Sequence, residues 1–215
     1  MKAEGEIRRT MMRLLIAIPC MDTVRYEFAQ SLVKLCKRLS DIGVDYEVNF
    51  HEGSLIYMAR DELSNKAIDE GFTHVLWLDS DIQFSSDIVE ILYSKKQAFI
   101  TGIYRSRRKP FALCIYSDLE HGQRLTELPN ELFTIDACGF GCVLMETDVL
   151  KIVRRNYGVF FLPTVSAGED IAFCKRWTDL GFSIYADPDV RLGHITYVPI
   201  TPKDTMPITQ YMDLI

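Results

Sequence analysis

Apolar runs alternate with amphipathic segments along the first half of the chain. Residues 13–20 (RLLIAIPC) form a continuous apolar run, which is typical of a strand buried on both faces of a sheet. Apolar residues then recur at helical spacing, at Phe28, Leu32, Leu35, Leu39 and Ile42. This periodicity predicts a helix, and Gly43 provides its C-terminal stop.

The alternation continues through two further strands and the helix between them. Residues 44–50 and 74–79 are rich in β-forming side chains and predict strands. Residues 54–70 predict a helix that ends at Gly71. This order predicts right-handed crossovers and an α/β fold of Rossmann-like type, with a mainly parallel central sheet flanked by helices. Ligands of such sheets bind at the carboxyl ends of the strands.

The second half of the chain is less regular. Its apolar segments predict strands at 98–104, 111–116 and 142–145 and helices at 87–94, 147–155 and 169–180. Ser85 or Ser86 is the expected N-cap of the first of these helices, and Thr147 that of the second. The irregular middle predicts a small antiparallel addition to the sheet. The predicted organisation is an N-terminal extension (1–12), a single domain (13–197) and a proline-rich tail (198–215).

Composition and charge exclude several classes of function. The chain has 215 residues, of which 48% are hydrophobic, and a formal net charge of −6. This acidic balance argues against a broad nucleic-acid or anionic-membrane surface. The polar N-terminus and the lack of an apolar stretch near the ~20 residues that span a bilayer predict a cytoplasmic protein without a transmembrane segment. The six cysteines lack zinc-type spacing and are expected to be reduced core residues.

The sharpest chemical motif is an aspartate pair, Asp79 and Asp81, directly after an apolar run. In extended chain, residues i and i+2 point to the same side, so the two carboxylates emerge together where the strand ends. Such a pair attracts a hard cation, Mg²⁺ or Mn²⁺, which keeps open positions for phosphate oxygens. The alternative is that Asp81 only caps a turn or a helix.

Five segments together carry a resemblance to a known family: Leu15-Ile-Ala-Ile-Pro19, Met58-Ala-Arg-Asp61, Leu76-Trp-Leu-Asp-Ser-Asp81, Gly168-Glu-Asp170 and His194. Their order and spacing over residues 13–197 resemble GT-A fold glycosyltransferases, particularly those of family-2 type. The resemblance implies an enzyme that moves a sugar from a nucleotide-diphosphate donor, such as a UDP- or GDP-sugar, to an acceptor hydroxyl. It also implies a divalent metal, Mn²⁺ or Mg²⁺, that bridges the two phosphates.

The resemblance implies roles for individual residues. The implied metal ligands are Asp79, Asp81 and His194, and the implied nucleotide-sugar contacts are Pro19, Asp22, Glu52, Arg60, Asp79, Ser80 and Asp136. Asp170 is the implied base of an inverting reaction, with Glu169 orienting the acceptor hydroxyl. A retaining reaction would remove the base assignment. Asp61 stands where the family often has asparagine, which leaves a contact from this position open.

Each of these roles has a purely structural alternative. Acidic side chains such as Glu169 and Asp170 are favoured at a helix N-terminus by its dipole. Arg60 could form a structural salt bridge, and His194 could be an ordinary surface or core histidine. The basic run at 105–109 (RSRRK) could be a solvated turn, or a loop that engages donor phosphates or an anionic acceptor.

Two other functions remain in competition with sugar transfer. A nucleotidyltransferase normally has a glycine-rich basic loop after its first strand, and this chain has Ile18-Pro-Cys-Met-Asp-Thr23 there. The other alternative is a non-catalytic sugar-nucleotide-binding module or a degenerate transferase, which the presence of Asp79, Asp81, Asp170 and His194 disfavours. No nucleic-acid partner is expected. A homo-oligomer is compatible with the short chain, since a second subunit or the tail could complete the acceptor site.

Overall fold

The computed structural model describes residues 12–53 and 55–197. Its central sheet has seven strands: β1 (Arg13–Cys20), β2 (Asp45–Glu52), β3 (His74–Leu78), β5 (Phe99–Ile103), β8 (Phe133–Ile135), β10 (Cys142–Glu146) and β11 (Ile184–Arg191). Two small sheets contain β4 (Ile82–Gln83) with β12 (Gly193–His194), and β6 (Ile115–Asp118) with β7 (Gln123–Arg124) and β9 (Ala137–Cys138). The predicted terminal extension (1–12) and tail (198–215) lie outside the described residues, apart from Met12.

The strands of the large sheet lie in the order β2-β1-β3-β10-β5-β11-β8. The pairs β1/β2, β1/β3 and β5/β11 are parallel, whereas β10 and β8 run antiparallel to their neighbours. The carboxyl ends of β1, β2, β3, β5 and β11 therefore share one edge. The predicted α/β class, with its mainly parallel sheet and small antiparallel addition, is confirmed.

Helices cover both faces of this sheet. They are α1 (Tyr26–Ile42), α2 (Ile56–Asp69), α3 (Ile88–Ser94), α4 (Thr147–Tyr157) and α5 (Glu169–Asp179). Side chains of β1 alternate between two apolar clusters, one that includes α1 and α3 and another that includes α2, α4 and α5. Burial on both faces explains the continuous apolar sequence of β1. Among the described residues, no helix combines the length and apolarity needed to cross a membrane.

Helix α1 ends before Gly43, as predicted. The φ of 73° at Gly43 is left-handed, a conformation that suits glycine.

Several other predicted boundaries and caps were wrong. The strand predicted at 111–116 corresponds to β6, which begins four residues later, at Ile115, and ends at Asp118. Asp87 and Glu146 occupy the N-cap positions expected for serine and Thr147, and neither makes a side-chain cap hydrogen bond. The long strand β11 was not predicted.

Candidate functional site

The aspartate motif occupies a tight turn at the carboxyl end of β3. The Asp79 N–H donates to the Gly141 carbonyl (3.1 Å), and the Ile82 N–H donates back to the Asp79 carbonyl (3.2 Å). Beyond the turn, β4 pairs with β12, which aligns Ile82 with His194. The pairing explains why His194, far away in sequence, lies beside the aspartates.

Asp79 is held by a buried arginine. Arg60 of α2 is 1% exposed, and its Nη2 donates to Asp79 Oδ1 at 2.8 Å. Its Nε lies 3.7 Å from Glu169 Oε1. The guanidinium carbon also lies 5.2 Å from the ring centre of Phe140 and 5.7 Å from that of Trp77, which favours the cation further. Arg60 thus links the aspartate turn to the acidic N-terminus of α5.

Asp81 forms a second cluster with His194 and the basic loop, which we define as residues 105–110. Arg107 Nη1 lies 2.5 Å from Asp81 Oδ2, and His194 Nε2 lies 3.4 Å from Asp81 Oδ1. Burial alone would raise the pKa of Asp81, but the hydrogen bond and charge of His194 and the charge of Arg107 lower it below its usual value. The basic loop is therefore tied to the aspartate turn, and Arg107 is not simply solvated.

The orientation of His194 is fixed by its other ring nitrogen. His194 Nδ1 lies 2.8 Å from the Arg105 carbonyl, and because a carbonyl only accepts, Nδ1 carries the proton. In neutral imidazole the Nε2 lone pair then faces the Asp81 carboxylate. A proton on Nε2, as in the ion pair with Asp81 described above, removes the repulsion between this lone pair and the carboxylate; without that proton a divalent cation between Asp81 and His194 would do the same.

The predicted three-residue metal set is only partly brought together. Over residues 12–53 and 55–197, no group of three or more His, Cys, Asp or Glu side chains is placed to hold a metal ion. Asp79 Oδ1 is engaged by Arg60, whereas Asp81 and His194 are adjacent. Asp81 supplies one of the one or two carboxylates that usually hold Mg²⁺, whose shell is completed by water and substrate phosphates, and His194 would add an imidazole nitrogen.

Asp170 lies in the first turn of α5, where it is partly buried next to Glu169. Burial, and next the neighbouring charge of Glu169, raise the pKa of Asp170 to about 6, against the opposing effects of the Ile171 N–H and Arg60. Its Oδ1 accepts from the Ile171 N–H at 2.7 Å. A carboxylate with a pKa near neutrality can accept a proton as the reaction proceeds and release it afterwards.

Two glycines allow the backbone to approach the acidic residues closely. A Cβ at Gly139 would lie 2.1 Å from the Tyr104 hydroxyl oxygen and 3.5 Å from Asp170 Oδ2. At Gly141 a Cβ would lie 2.7 Å from the Tyr104 ring, whose hydroxyl accepts from the Gly141 N–H at 3.0 Å. Any side chain at either glycine would displace Tyr104. The Gly139-Phe-Gly141 pattern was the sequence signal for this approach, although Tyr104 itself was not predicted.

An open cleft of about 1060 Å³ joins Asp170, His194 and the basic loop, whereas Asp79 and Asp81 do not line it. It is lined by Asp170 and His194, by the basic loop, and by Tyr116 and Arg124 of the small sheet. Sequence reasoning missed Tyr116 and Arg124 because no motif contains them. A smaller cavity of about 540 Å³ lies on the other side of the basic loop and shares Arg107 and His194 with the cleft.

The remaining predicted contacts fall in three places. Asp22 and Glu52 are exposed and lie near Cys20 at the end of β1. Burial raises the pKa of the Cys20 thiol, and the negative charges of Glu52 and Asp22 raise it further. Pro19 is buried in β1 itself, and the Ser80 carbonyl accepts from the Arg25 N–H.

Asp136 and Asp61 instead have structural partners. The Asp136 carboxylate accepts from the Leu119 N–H at 2.9 Å, which holds the small sheet. Asp61 Oδ1 accepts from the Phe161 N–H at 2.8 Å and so anchors the segment before α5. Neither side chain lines the cleft.

No protein-family model matches the chain, and no curated protein matches it in sequence. Solved structures do match its fold. The structure titled "Crystal Structure of A197 from STIV" superposes with a TM-score of 0.59 at 17% identity, over 86% of this chain and 87% of that one. GalNAc-T7, crystallised with UDP, GalNAc and Mn²⁺, matches with a TM-score of 0.55 at 11% identity, over 92% of this chain and 45% of its own.

Two further structures agree with these. The catalytic domain of Drosophila β1,4-galactosyltransferase 7, in complex with xylobiose, matches with a TM-score of 0.54 at 14% identity, over 91% and 76% of the two chains. UDP-glucose pyrophosphorylase complexed with UDP-glucose matches with a TM-score of 0.52 at 10% identity, over 85% and 92%. The chain therefore has the GT-A-type fold of nucleotide-diphospho-sugar transferases.

Proposed function

We propose that this protein is a glycosyltransferase that moves a sugar from a nucleotide-diphosphate donor to an acceptor hydroxyl. One observation carries the proposal. The Asp81–His194 pair is tied to the basic loop, and that loop, His194 and the raised-pKa carboxyl of Asp170 line a single cleft at the carboxyl edge of the sheet. Sugar transfer needs both parts, one for the leaving diphosphate and the other for the acceptor proton.

In the proposed reaction Asp170 acts as the base. The acceptor hydroxyl transfers its proton to Asp170 while its oxygen bonds to the anomeric carbon. The bond from that carbon to the diphosphate oxygen breaks, the nucleoside diphosphate leaves with the electron pair, and the configuration inverts. Glu169 keeps the pKa of Asp170 high enough for this exchange, and Arg60 holds Glu169 and Asp79 in place.

Asp81 and His194 would hold the proposed Mn²⁺ or Mg²⁺. When bound, the ion supplies positive charge that stabilises the diphosphate as it leaves. The Mn²⁺ in the GalNAc-T7 structure supports this assignment. Asp22, Glu52, Pro19 and Ser80 lie around the ends of β1 and β3 and are proposed to receive the nucleoside, which the UDP and UDP-glucose in the matched structures support.

Release of nucleoside diphosphate from a panel of UDP- and GDP-sugars with Mn²⁺ tests this function. We expect metal-dependent release, and we expect Asp81→Ala to lower its rate at least about 100-fold, because an uncompensated leaving diphosphate loses several kcal/mol of stabilisation. Asp148→Ala removes an exposed carboxylate on α4 and serves as the matched control.

The nucleotidyltransferase alternative gives a different product. The UDP-glucose pyrophosphorylase match keeps this alternative open. Formation of a nucleoside diphosphate-sugar and pyrophosphate from a nucleoside triphosphate and a sugar 1-phosphate, with no nucleoside diphosphate released from any donor, would replace sugar transfer by nucleotidyl transfer.

Arg107 is expected to compete with the metal ion for Asp81. Its guanidinium contacts the carboxylate that the ion would use, so Arg107→Gln should tighten Mn²⁺ binding about fivefold, the equivalent of about 1 kcal/mol for a partly exposed ion pair. Titration calorimetry without donor measures this affinity independently of turnover. Arg108→Gln, which removes a neighbouring charge without touching Asp81, is the control. Unchanged or weaker Mn²⁺ binding by Arg107→Gln would contradict the competition.

A further inference from the structure

The cleft beside Asp170 carries cations from two separate parts of the chain. Arg107, Arg108 and Lys109 come from the basic loop, and Arg124 comes from β7 of the small sheet. Arg107 is compensated by Asp81. Within residues 12–53 and 55–197, Arg108, Lys109 and Arg124 form no ion pair. These three exposed cations line one cleft of a protein whose net charge is −6, and their combined field favours an anionic partner there.

Arg124 is oriented by the residue opposite it on β6. Its Nη2 donates to the Tyr116 hydroxyl at 2.8 Å, and its guanidinium carbon lies 4.9 Å from the centre of the Tyr116 ring. The hydrogen bond and the ring contact restrain the planar guanidinium, which lines the cleft. A restrained guanidinium is suited to two parallel hydrogen bonds with a phosphate or carboxylate group.

The position of Arg124 separates it from the proposed diphosphate site. Asp81 contacts Arg107 and His194. Arg124 is instead hydrogen-bonded to Tyr116 of β6, which pairs with β9, and a Cβ at Gly139, directly after β9, would lie 3.5 Å from Asp170 Oδ2. Arg124 is therefore on the Asp170 side of the cleft, where the acceptor hydroxyl has to approach the base.

We propose that Arg124 and Tyr116 form an acceptor subsite that binds an anionic group, a phosphate or a carboxylate, on the acceptor sugar. This inference rests on the proposed function and specifies its substrate class. Arg124, held by Tyr116, pairs with the anion, and Arg108 and Lys109, which line the same cleft, add to the positive field. The acceptor hydroxyl is then held at Asp170 by contacts distant from the reacting atoms.

Direct binding of matched sugars to the full chain tests the subsite. The probes are glucose, glucose 6-phosphate and glucuronate, measured by titration calorimetry in 50 mM NaCl. We expect glucose 6-phosphate, glucuronate or both to bind at least about tenfold more tightly than glucose, and the stronger of the two identifies the anion as phosphate or carboxylate. Arg124→Gln should weaken this binding about tenfold, the equivalent of one charged hydrogen-bonded pair. Arg155→Gln, an exposed arginine of α4, should leave it unchanged.

Kinetics separate failure of the subsite from failure of the proposed function. With an active donor, Arg124→Gln should raise the KM of the anionic acceptor. A larger rise in the donor KM would assign Arg124 to the donor diphosphate and overturn the subsite, as would equal binding of glucose and both anions. If no donor releases nucleoside diphosphate while the anionic sugar still binds through Arg124, sugar transfer fails and an anion-binding site remains.

Discussion

Replacing Asp170 with asparagine is expected to abolish sugar transfer and at the same time make the protein more stable. The loss of rate should be about 10²- to 10⁴-fold, the usual contribution of a positioned general base. The gain in stability has a separate cause. Burial raises the pKa of Asp170 to about 6, so at pH 8 the folded protein holds an ionised carboxylate at a cost of up to about 3 kcal/mol. Asparagine removes that charge.

The stability gain should depend on pH in a defined direction. The folded Asp170 carboxyl binds its proton more tightly than the unfolded one, so the stability of the original protein falls as pH rises from about 4 to about 6. The Asp170→Asn variant lacks this titrating group, and its advantage in Tm should grow over this window to about 5 °C and stay constant above it. Calorimetric unfolding at pH 4 and pH 8 measures both values. Equal Tm values of the two proteins at pH 8 would contradict the burial of a charge.

The pH dependence of activity should follow the ionisation of Asp170. As a base, Asp170 must be ionised, so kcat/KM of the original protein should fall below a pH of about 6. Glu169→Gln removes the like charge that raises this pKa, and the acid limb of the profile should move to lower pH. A profile that Glu169→Gln leaves in place, or moves upward, would assign the limb to another group.

Strong local patterns made much of the fold predictable. Strand β1 and helix α1 each carry an unbroken apolar pattern with the period of its structure, and Gly43 marks the helix end. The direction of β10 could not be predicted, because an apolar run such as CVLM looks the same in a parallel and an antiparallel neighbour. Long-range pairing decides the direction, and the sequence of the strand does not contain it.

Strand β11 was missed because its sequence contradicts the usual strand pattern. Ile184–Arg191 contains Pro188 in its interior and the acidic Asp187, which is fully buried. Contacts that exist only in the folded chain accommodate both residues. The register against β5 shifts between Ala186 and Arg191, which accommodates the proline. Lys95 lies 3.1 Å from Asp187 and partly compensates the buried charge.

The candidate site, like the fold, could be predicted only in part from the sequence. The aspartate pair was predictable because it directly follows an apolar strand. The resemblance also named Arg60 and His194, but it left open whether Arg60 forms a salt bridge. The contact of Arg107 with Asp81 and the place of Arg124 in the cleft could not be predicted, because an irregular loop and a small sheet contribute them and only the tertiary structure brings them to this edge. The raised pKa of Asp170 likewise depends on burial that no local pattern encodes.

Replacing Arg60 with alanine is expected to cause the largest loss of stability of any change at this site. The guanidinium is buried, pairs with Asp79 at 2.8 Å, and packs among Trp77, Phe140 and Phe161. Its removal leaves the Asp79 carboxylate without its cation and creates a cavity between the rings. The free energy of unfolding should fall by about 3–5 kcal/mol, and Tm by about 10 °C. Chemical denaturation measures the first and calorimetry the second.

A double-mutant cycle separates the lost ion pair from the lost packing. Arg60→Met refills most of the space but leaves Asp79 unpaired, so it should still be clearly destabilising. Adding Asp79→Asn removes the stranded charge, and the pair should recover about 1–3 kcal/mol relative to the sum of the single changes. Arg155→Met, at an exposed arginine of α4, controls for the substitution itself. If the two changes are additive, Asp79 does not depend on Arg60, and the arginine acts through its ring contacts and Glu169.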